Sequence, residues 1–245
     1  MYICYMNNHV LDIMENQQGY SLTRNQIQLL LTGTFGDGSI VKTSSGNYYY
    51  QTNGVKKDYI EFKKSLMGDL ETGIVKESLN CGFKKSPLYS IHSKYDRRIT
   101  DLHLQDVKTK LNLLDELGMA LWLYDDGSLH HINHFYNLNT QSFSQEVQED
   151  LFIPFLKERF NIIAKCTRET KKDGRVFHYL RISRHAGAYE INMILQKYPV
   201  EGFKYKMWSS ETIQKWSKVQ AYLKRQDKKL TPRLVGDYMK REDFL

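Results

Sequence analysis

An internal repeat is the strongest constraint on what this chain of 245 residues can fold into. Asp37-Gly38-Ser39-Ile40 returns as Asp126-Gly127-Ser128-Leu129, at an offset of 89 residues. Thr52 returns as Thr140 at 88, and Tyr89-Ser90-Ile91-His92-Ser93 as Tyr179-Leu180-Arg181-Ile182-Ser183 at 90. A solenoid unit runs only about 20–50 residues, so this period is too long for one. It fits two copies of an αββαββ unit in one chain. A duplicated unit suits a ligand with its own approximate twofold symmetry, and duplex DNA is one.

Local signals divide the chain further. Residues 1–20 read as a leader of no clear type, without the basic start and apolar core of a signal peptide. Residues 21–110 form the first half, 111–208 the second, and 209–245 a basic helical extension. Thr23-Arg24-Asn25-Gln26 reads as a capping box. The helix it opens carries Ile27, Leu29, Leu30, Leu31 and Phe35 and stops at Gly36-Asp37-Gly38. A hairpin follows, turning at Ser45-Gly46, then an amphipathic helix with Tyr59, Phe62 and Leu66 on one face. In the second half, a helix over about residues 111–125 ends at Asp125-Asp126-Gly127. Pro154 predicts a kink or late start in the helix from Ser144 to Phe160. Lys172-Asp173-Gly174 reads as a hairpin turn.

Composition limits the partners. Lysine and arginine number 35 against 28 acids, a net charge of +7, which points toward a polyanion such as nucleic acid. The 11 Phe, 17 Tyr and 3 Trp can fill a core, so disorder is not the expected main state. Cys4, Cys81 and Cys166 are isolated, which argues against a disulfide framework or a cysteine zinc site and for a reducing intracellular compartment. No apolar run reaches the roughly 20 residues that a membrane helix needs, so no membrane partner is expected.

The chemistry centres on two aspartates. An Asp-Gly pair alone usually marks a turn. Asp37 and Asp126 differ, because each ends an apolar helix, where the dipole disfavours a carboxylate by about 0.3–1 kcal/mol. The same misplacement in both halves is explained by a divalent cation held by oxygens. Thr32, Gly33 and Gly36 would let the first helix approach a partner helix. If the two helices pack side by side, their ends bring the two aspartates together, an arrangement suited to in-line attack on phosphodiesters.

Leu30–Gly38 (LLTGTFGDG) and Met119–Gly127 (MALWLYDDG) resemble the two motifs of the LAGLIDADG homing endonuclease family. The second, with Asn139-Thr140-Gln141-Ser142-Phe143 after it, is similar to the monomeric branch typified by the mitochondrial omega-intron enzyme. The likeness covers roughly residues 23 to 208. Thr32 stands where the family often has Gly, and Asp125 where it often has a small residue. The resemblance implies an α+β fold: two pseudo-symmetric halves packed through the motif helices, forming a DNA-binding saddle of two antiparallel sheets. It implies a monomer that cuts both strands of a long double-stranded DNA site, leaving short 3′ overhangs. It implies Mg²⁺, with Mn²⁺ able to substitute, held by the carboxylates of Asp37 and Asp126 and the carbonyls of Gly36 and Asp125. Lys206 matches the family's basic residue in the second half; Lys110 or Lys108 is the first-half candidate. The reducing compartment would be a bacterial or phage-host cytoplasm, or an organelle matrix if the protein is organelle-encoded.

The strands carry groups suited to a DNA groove. In the first half these are Lys42, Ser44, Asn47, Tyr48, Tyr50, Gln51, Lys84, Lys85 and His92. In the second they are Asn139, Gln141, Lys165, Arg168, Lys171, Lys172, Arg175, His178 and Arg181. Period-2 alternation puts Ile163, Lys165, Thr167 and Glu169 on one face. Two rivals share the scaffold: an intron maturase, which would add host intron RNA as a partner, and a non-catalytic DNA-binding regulator.

Overall fold

Thr23 opens the first helix as its sequence predicts: its side chain accepts the Gln26 amide, and the Gln26 side chain accepts the Thr23 amide in return. The structure, a computed structural model, describes residues 22–79 and 86–241. The leader 1–20, together with Lys84 and Lys85, lies outside the described residues. The chain divides into two compact units. One holds the described residues up to Asp125 plus Val200–Gly202; the other holds Asp126–Pro199 and the described residues from Phe203 onward.

The first unit contains α1 (Arg24–Phe35), β1 (Ser39–Lys42), β2 (Tyr48–Gly54), α2 (Lys57–Ser65), β3 (Lys76–Ser78), β4 (Leu88–His92), α3 (Arg97–His103), α4 (Val107–Leu113) and all but the last residue of α5 (Glu116–Asp126). Its sheet is antiparallel, in the order β1-β2-β4-β3. The halves expected from the repeat divide at 110/111, whereas packing divides the chain at Asp125/Asp126. The difference is physical. Leu117 to Tyr124 of α5 are all buried, so the helix is interior on every side rather than amphipathic. Phe35 of α1 meets Trp122 of α5, ring centroids 5.2 Å apart. Buried Gln28 completes the seam by donating to the Leu113 carbonyl and accepting the Asp115 amide. Both motif helices thus belong to one core.

The second unit contains β5 (Gly127–His130), β6 (Phe135–Leu138), α6 (Gln145–Val147), α7 (Ile153–Phe160), β7 (Ala164–Thr170), β8 (Val176–Ile182), α8 (Tyr189–Lys197), α9 (Ser210–Arg225) and α10 (Pro232–Lys240). Its antiparallel sheet runs β5-β6-β8-β7, the same topology as the first. Ser144 caps α6, and a wider π turn over Gln148–Phe152 leads into α7 with Pro154 in its first turn. This is the expected disturbance: proline supplies no amide to an unbroken helix, and a new first turn needs none there. Gly174 sits at φ +82° in the hairpin between β7 and β8, as Gly46 does at φ +88° between β1 and β2.

The strand registers refine the repeat. Ser39 pairs with Gln51, which pairs with His92; Ser128 pairs with Asn137, which pairs with Arg181. The aligned offsets are therefore 89, 86 and 89. Thr52 corresponds to Leu138 rather than Thr140, because the second hairpin is three residues shorter. Ile91 corresponds to Leu180, both buried, rather than to Arg181. A one-residue slip would have sent Arg181 into the core face.

Candidate functional site

Asp37 stands just beyond the C-terminus of α1. Gly36 is extended (φ −137°, ψ −157°), and the amides of Gly36 and Gly38 both donate to the Thr32 carbonyl. The Asp37 amide between them donates to Asp125 Oδ2 at 3.0 Å. The Asp37 side chain is on the exposed side of this turn. Asp126 is the last residue of α5, half-buried, and its carbonyl accepts the Asn139 amide at 3.0 Å. Each motif aspartate therefore sits at a helix C-terminus directly before the first strand of a sheet.

Asp125 is set differently. Its side chain and that of Lys63 are 0% and 1% exposed. The Lys63 ammonium reaches Oδ1 at 2.8 Å and Oδ2 at 3.0 Å, and the Tyr59 hydroxyl donates to Oδ1 at 2.7 Å. Burial alone would pull the Lys63 pKa down, but Tyr50 and Asp125 outweigh it, and the value is raised above that of an ordinary lysine. Burial, with Asp125 second, pushes the Tyr59 hydroxyl well above its ordinary value, so it remains a donor. The Asp125 carboxylate is committed to these partners. Only its carbonyl is left for the ligand role that the resemblance implies. Lys63 and Tyr59 carry no sequence signal for this role, since they lie 62 and 66 residues from Asp125.

The small residues of α1 are used otherwise than expected. Only Gly36 faces the partner helix, at the Asp125 carboxylate. Gly33 faces Ile40 of β1, and the Thr32 hydroxyl bonds the Tyr50 hydroxyl at 2.8 Å. The close approach on α5 comes from Gly118, where a Cβ would lie 2.2 Å from Gln28 Oε1.

The two lysines assigned from sequence are both buried, at 7% exposure each. Lys206 places its ammonium 4.8 Å from the Phe203 ring centre, and its carbonyl accepts the Tyr136 hydroxyl. Lys110, on α4, has its pKa lowered by burial, with Asp106 opposing, and no salt bridge reaches it among the described residues. Among the described residues no group of three His, Cys, Asp or Glu comes together as a metal cluster.

Each sheet buries one face and leaves the other to solvent. On the open face of the first lie Ser39, Gln51 and His92 in one row, and Asn53, Ser90 and Lys76 in the next. On the second, Ser128, Asn137, Arg181 and Lys165 share a row, with Thr167 and Tyr179 beyond. Arg181 donates to Asn137 Oδ1 at 3.1 Å and the Tyr179 hydroxyl at 2.7 Å, and its guanidinium lies 4.8 Å from the Phe135 ring centre. The expected face of Lys165, Thr167 and Glu169 is observed.

Other groove candidates sit elsewhere. Tyr50 is wholly buried and has no surface to offer a ligand, a correction that alternation explains: it shares the core face with Thr52. Lys42 and Tyr48 share that face parity at the strand end, as do paired Arg168 and His178 on the second sheet. Ser44 and Asn47 are exposed in the first hairpin loop, and Asn139 and Gln141 beyond β6. At the other hairpin, Lys171 pairs with Glu169 and Arg175 with Asp173, both at 2.7 Å, beside exposed Lys172. Lys76 and Asn137 were missed as groove candidates; their signal was strand alternation, which depends on the register.

No helix among the described residues is long and apolar enough to cross a membrane. Comparison with curated proteins yields no match. Among solved structures, the homing endonuclease I-WcaI bound to its DNA recognition sequence is similar in fold, with TM-score 0.61 and 20% identity over 80% of this chain and 91% of that one. I-DmoI in complex with DNA and Mn gives TM-score 0.43 and 11% identity over 66% and 91%. The meganuclease I-AabMI bound to uncleaved DNA gives 0.42 and 15% over 88% and 96%. The profile of the LAGLIDADG DNA endonuclease family matches residues 29–189. With a motif helix leading into each of two like-ordered sheets, and with that match, the chain belongs to the LAGLIDADG DNA endonuclease family and is a DNA endonuclease.

Proposed function

We propose that this protein is a site-specific, intron-encoded homing endonuclease that acts as a monomer on double-stranded DNA. It hydrolyses one phosphodiester in each strand and leaves short 3′ overhangs. The observation that carries the reading is the placement of Asp37 and Asp126, each at the C-terminus of a motif helix and directly before a sheet with an open polar face.

The donor set suits a hard divalent cation. Two carboxylates, Asp37 and Asp126, and two carbonyls, Gly36 and Asp125, offer only oxygen, as Mg²⁺ requires, and Mn²⁺ accepts the same ligands. The bound cation would supply Lewis-acid activation of water and charge to offset the phosphate. The protein's own groups do the rest. Asp37 and Asp126 each present a carboxylate suited to orienting water. Lys206 and Lys110, kept dry by burial, hold protons next to developing negative charge. Burial lowers the Lys110 pKa from the ordinary lysine value, a shift in the direction that favours giving up its proton. Arg181, already held by Asn137 and Tyr179, presents its guanidinium to base edges, guanine above all. Lysines at the hairpin turns meet phosphates, so binding weakens steeply with salt.

The test is incubation of the protein and an Asp126→Asn variant with a randomised duplex library in Mg²⁺, followed by end sequencing. Discrete cuts with short 3′ overhangs, lost in the variant, are expected. Salt-sensitive binding with no cuts from either protein would overturn the reading. Binding to structured intron RNA would then favour a maturase, and its absence a DNA-binding regulator.

A further inference from the structure

The Asp125 carboxylate has no part in the chemistry proposed for Asp37 and Asp126, yet four hydrogen bonds converge on it. Two come from Lys63, one from Tyr59, and one from the Asp37 amide. Around Asp37 three successive amides are tied. Those of Gly36 and Gly38 go to Thr32 of the same helix, and only the Asp37 amide reaches a different element. We infer that Lys63 and Asp125 form a positioning pair that fixes the Asp37 backbone at the end of α1, so that the Asp37 carboxylate is presented in one orientation to a divalent cation.

The physics requires both members. A lone aspartate in this place would be a buried, uncompensated charge, which proteins do not tolerate without a partner. It would also be a third carboxylate competing for the cation. Lys63 removes both problems, because it neutralises the group and holds its two oxygens. With the carboxylate fixed, Oδ2 faces the Asp37 amide, and the contact is charge-assisted and therefore strong. Gly36 makes the approach possible, since any Cβ there would lie 2.3 Å from Oδ2. The small residue that the family often carries at this position could form no such tie. The role thus needs an aspartate at position 125 and rests on the reading of Asp37 as a metal ligand.

The test compares the wild type with a Lys63→Met/Asp125→Ala double variant, which removes both charges at once and leaves neither stranded. Thermal unfolding first establishes that the double variant folds. Two readouts follow: amide hydrogen exchange at Asp37 by NMR, and Mn²⁺ affinity from the free-ion electron paramagnetic resonance signal, with Asp37→Asn as reference. Loss of one charge-assisted bond predicts exchange at Asp37 faster by about tenfold or more and Mn²⁺ binding weaker by about tenfold. Unchanged exchange, or faster exchange with unchanged Mn²⁺ affinity, overturns the positioning pair. If the wild type binds Mn²⁺ no better than Asp37→Asn, the metal reading of Asp37 fails instead, and the exchange at Asp37 still decides whether Asp125 fixes its backbone. If the double variant does not fold, Lys63→Met/Asp125→Asn, which keeps the shape at position 125 and likewise strands no charge, is measured in the same way.

Discussion

Gly36 lies against the carboxylate of Asp125: a Cβ built on Gly36 would stand 2.3 Å from Oδ2 and 3.0 Å from both Cβ and Cγ. Asp125 cannot retreat, because Lys63 and Tyr59 hold it from the other side. Gly36→Ala is therefore expected to destabilise the protein by about 1–3 kcal/mol, the usual cost of overpacking a fixed site. Chemical denaturation measures it. Adding Asp125→Ala and Lys63→Met should recover most of the loss, since the obstructing carboxylate is then gone.

Lys63→Met alone should be among the most damaging single changes in the first unit. It leaves Asp125 buried without a counter-charge, and breaking such a pair costs about 3–5 kcal/mol. Urea unfolding midpoints of this variant and of the double variant should differ clearly, with the double variant the more stable. Equal midpoints would mean that the ion pair carries little coupling energy.

Tyr50→Phe separates burial from DNA contact. Tyr50 is 0% exposed, and its hydroxyl meets Thr32 at 2.8 Å. The variant should lose about 1 kcal/mol of stability, the net worth of one hydrogen bond. DNA affinity should not change. Arg181→Ala should do the reverse, leaving stability nearly intact and costing about 1–3 kcal/mol of discrimination at one base pair. Competition binding with single-base variants of the cleaved site reads both.

His103 makes stability depend on pH. Burial, with the Lys110 charge second, lowers its pKa below the ordinary histidine value, and its Nδ1 is buried with no partner among the described residues. The unfolded chain therefore binds the His103 proton more readily than the folded one. The resulting stability is fully present above the ordinary histidine value and is lost as pH falls through the lower folded value. Unfolding free energies between pH 8 and pH 5 should decline toward acid, and His103→Phe, which keeps a ring 5.0 Å from Tyr48, should flatten that slope.

Features that depend only on neighbouring residues are legible in the chain before it folds. The Thr23 capping box, the turns at Gly46 and Gly174, the disturbance at Pro154 and the two Asp-Gly helix ends are all written within a few positions of the chain. So was the duplication, because a repeated unit repeats its local signals. The remaining features arise only once the elements have packed. Which face of each strand is open depends on register, and a hairpin three residues shorter moved the match of Thr52 from Thr140 to Leu138. The pairing of Asp125 with Lys63 and Tyr59 spans more than sixty residues, and no periodicity encodes it. A buried charge selects its partner by proximity and desolvation in the folded core, and neither exists until α2 and α5 have packed.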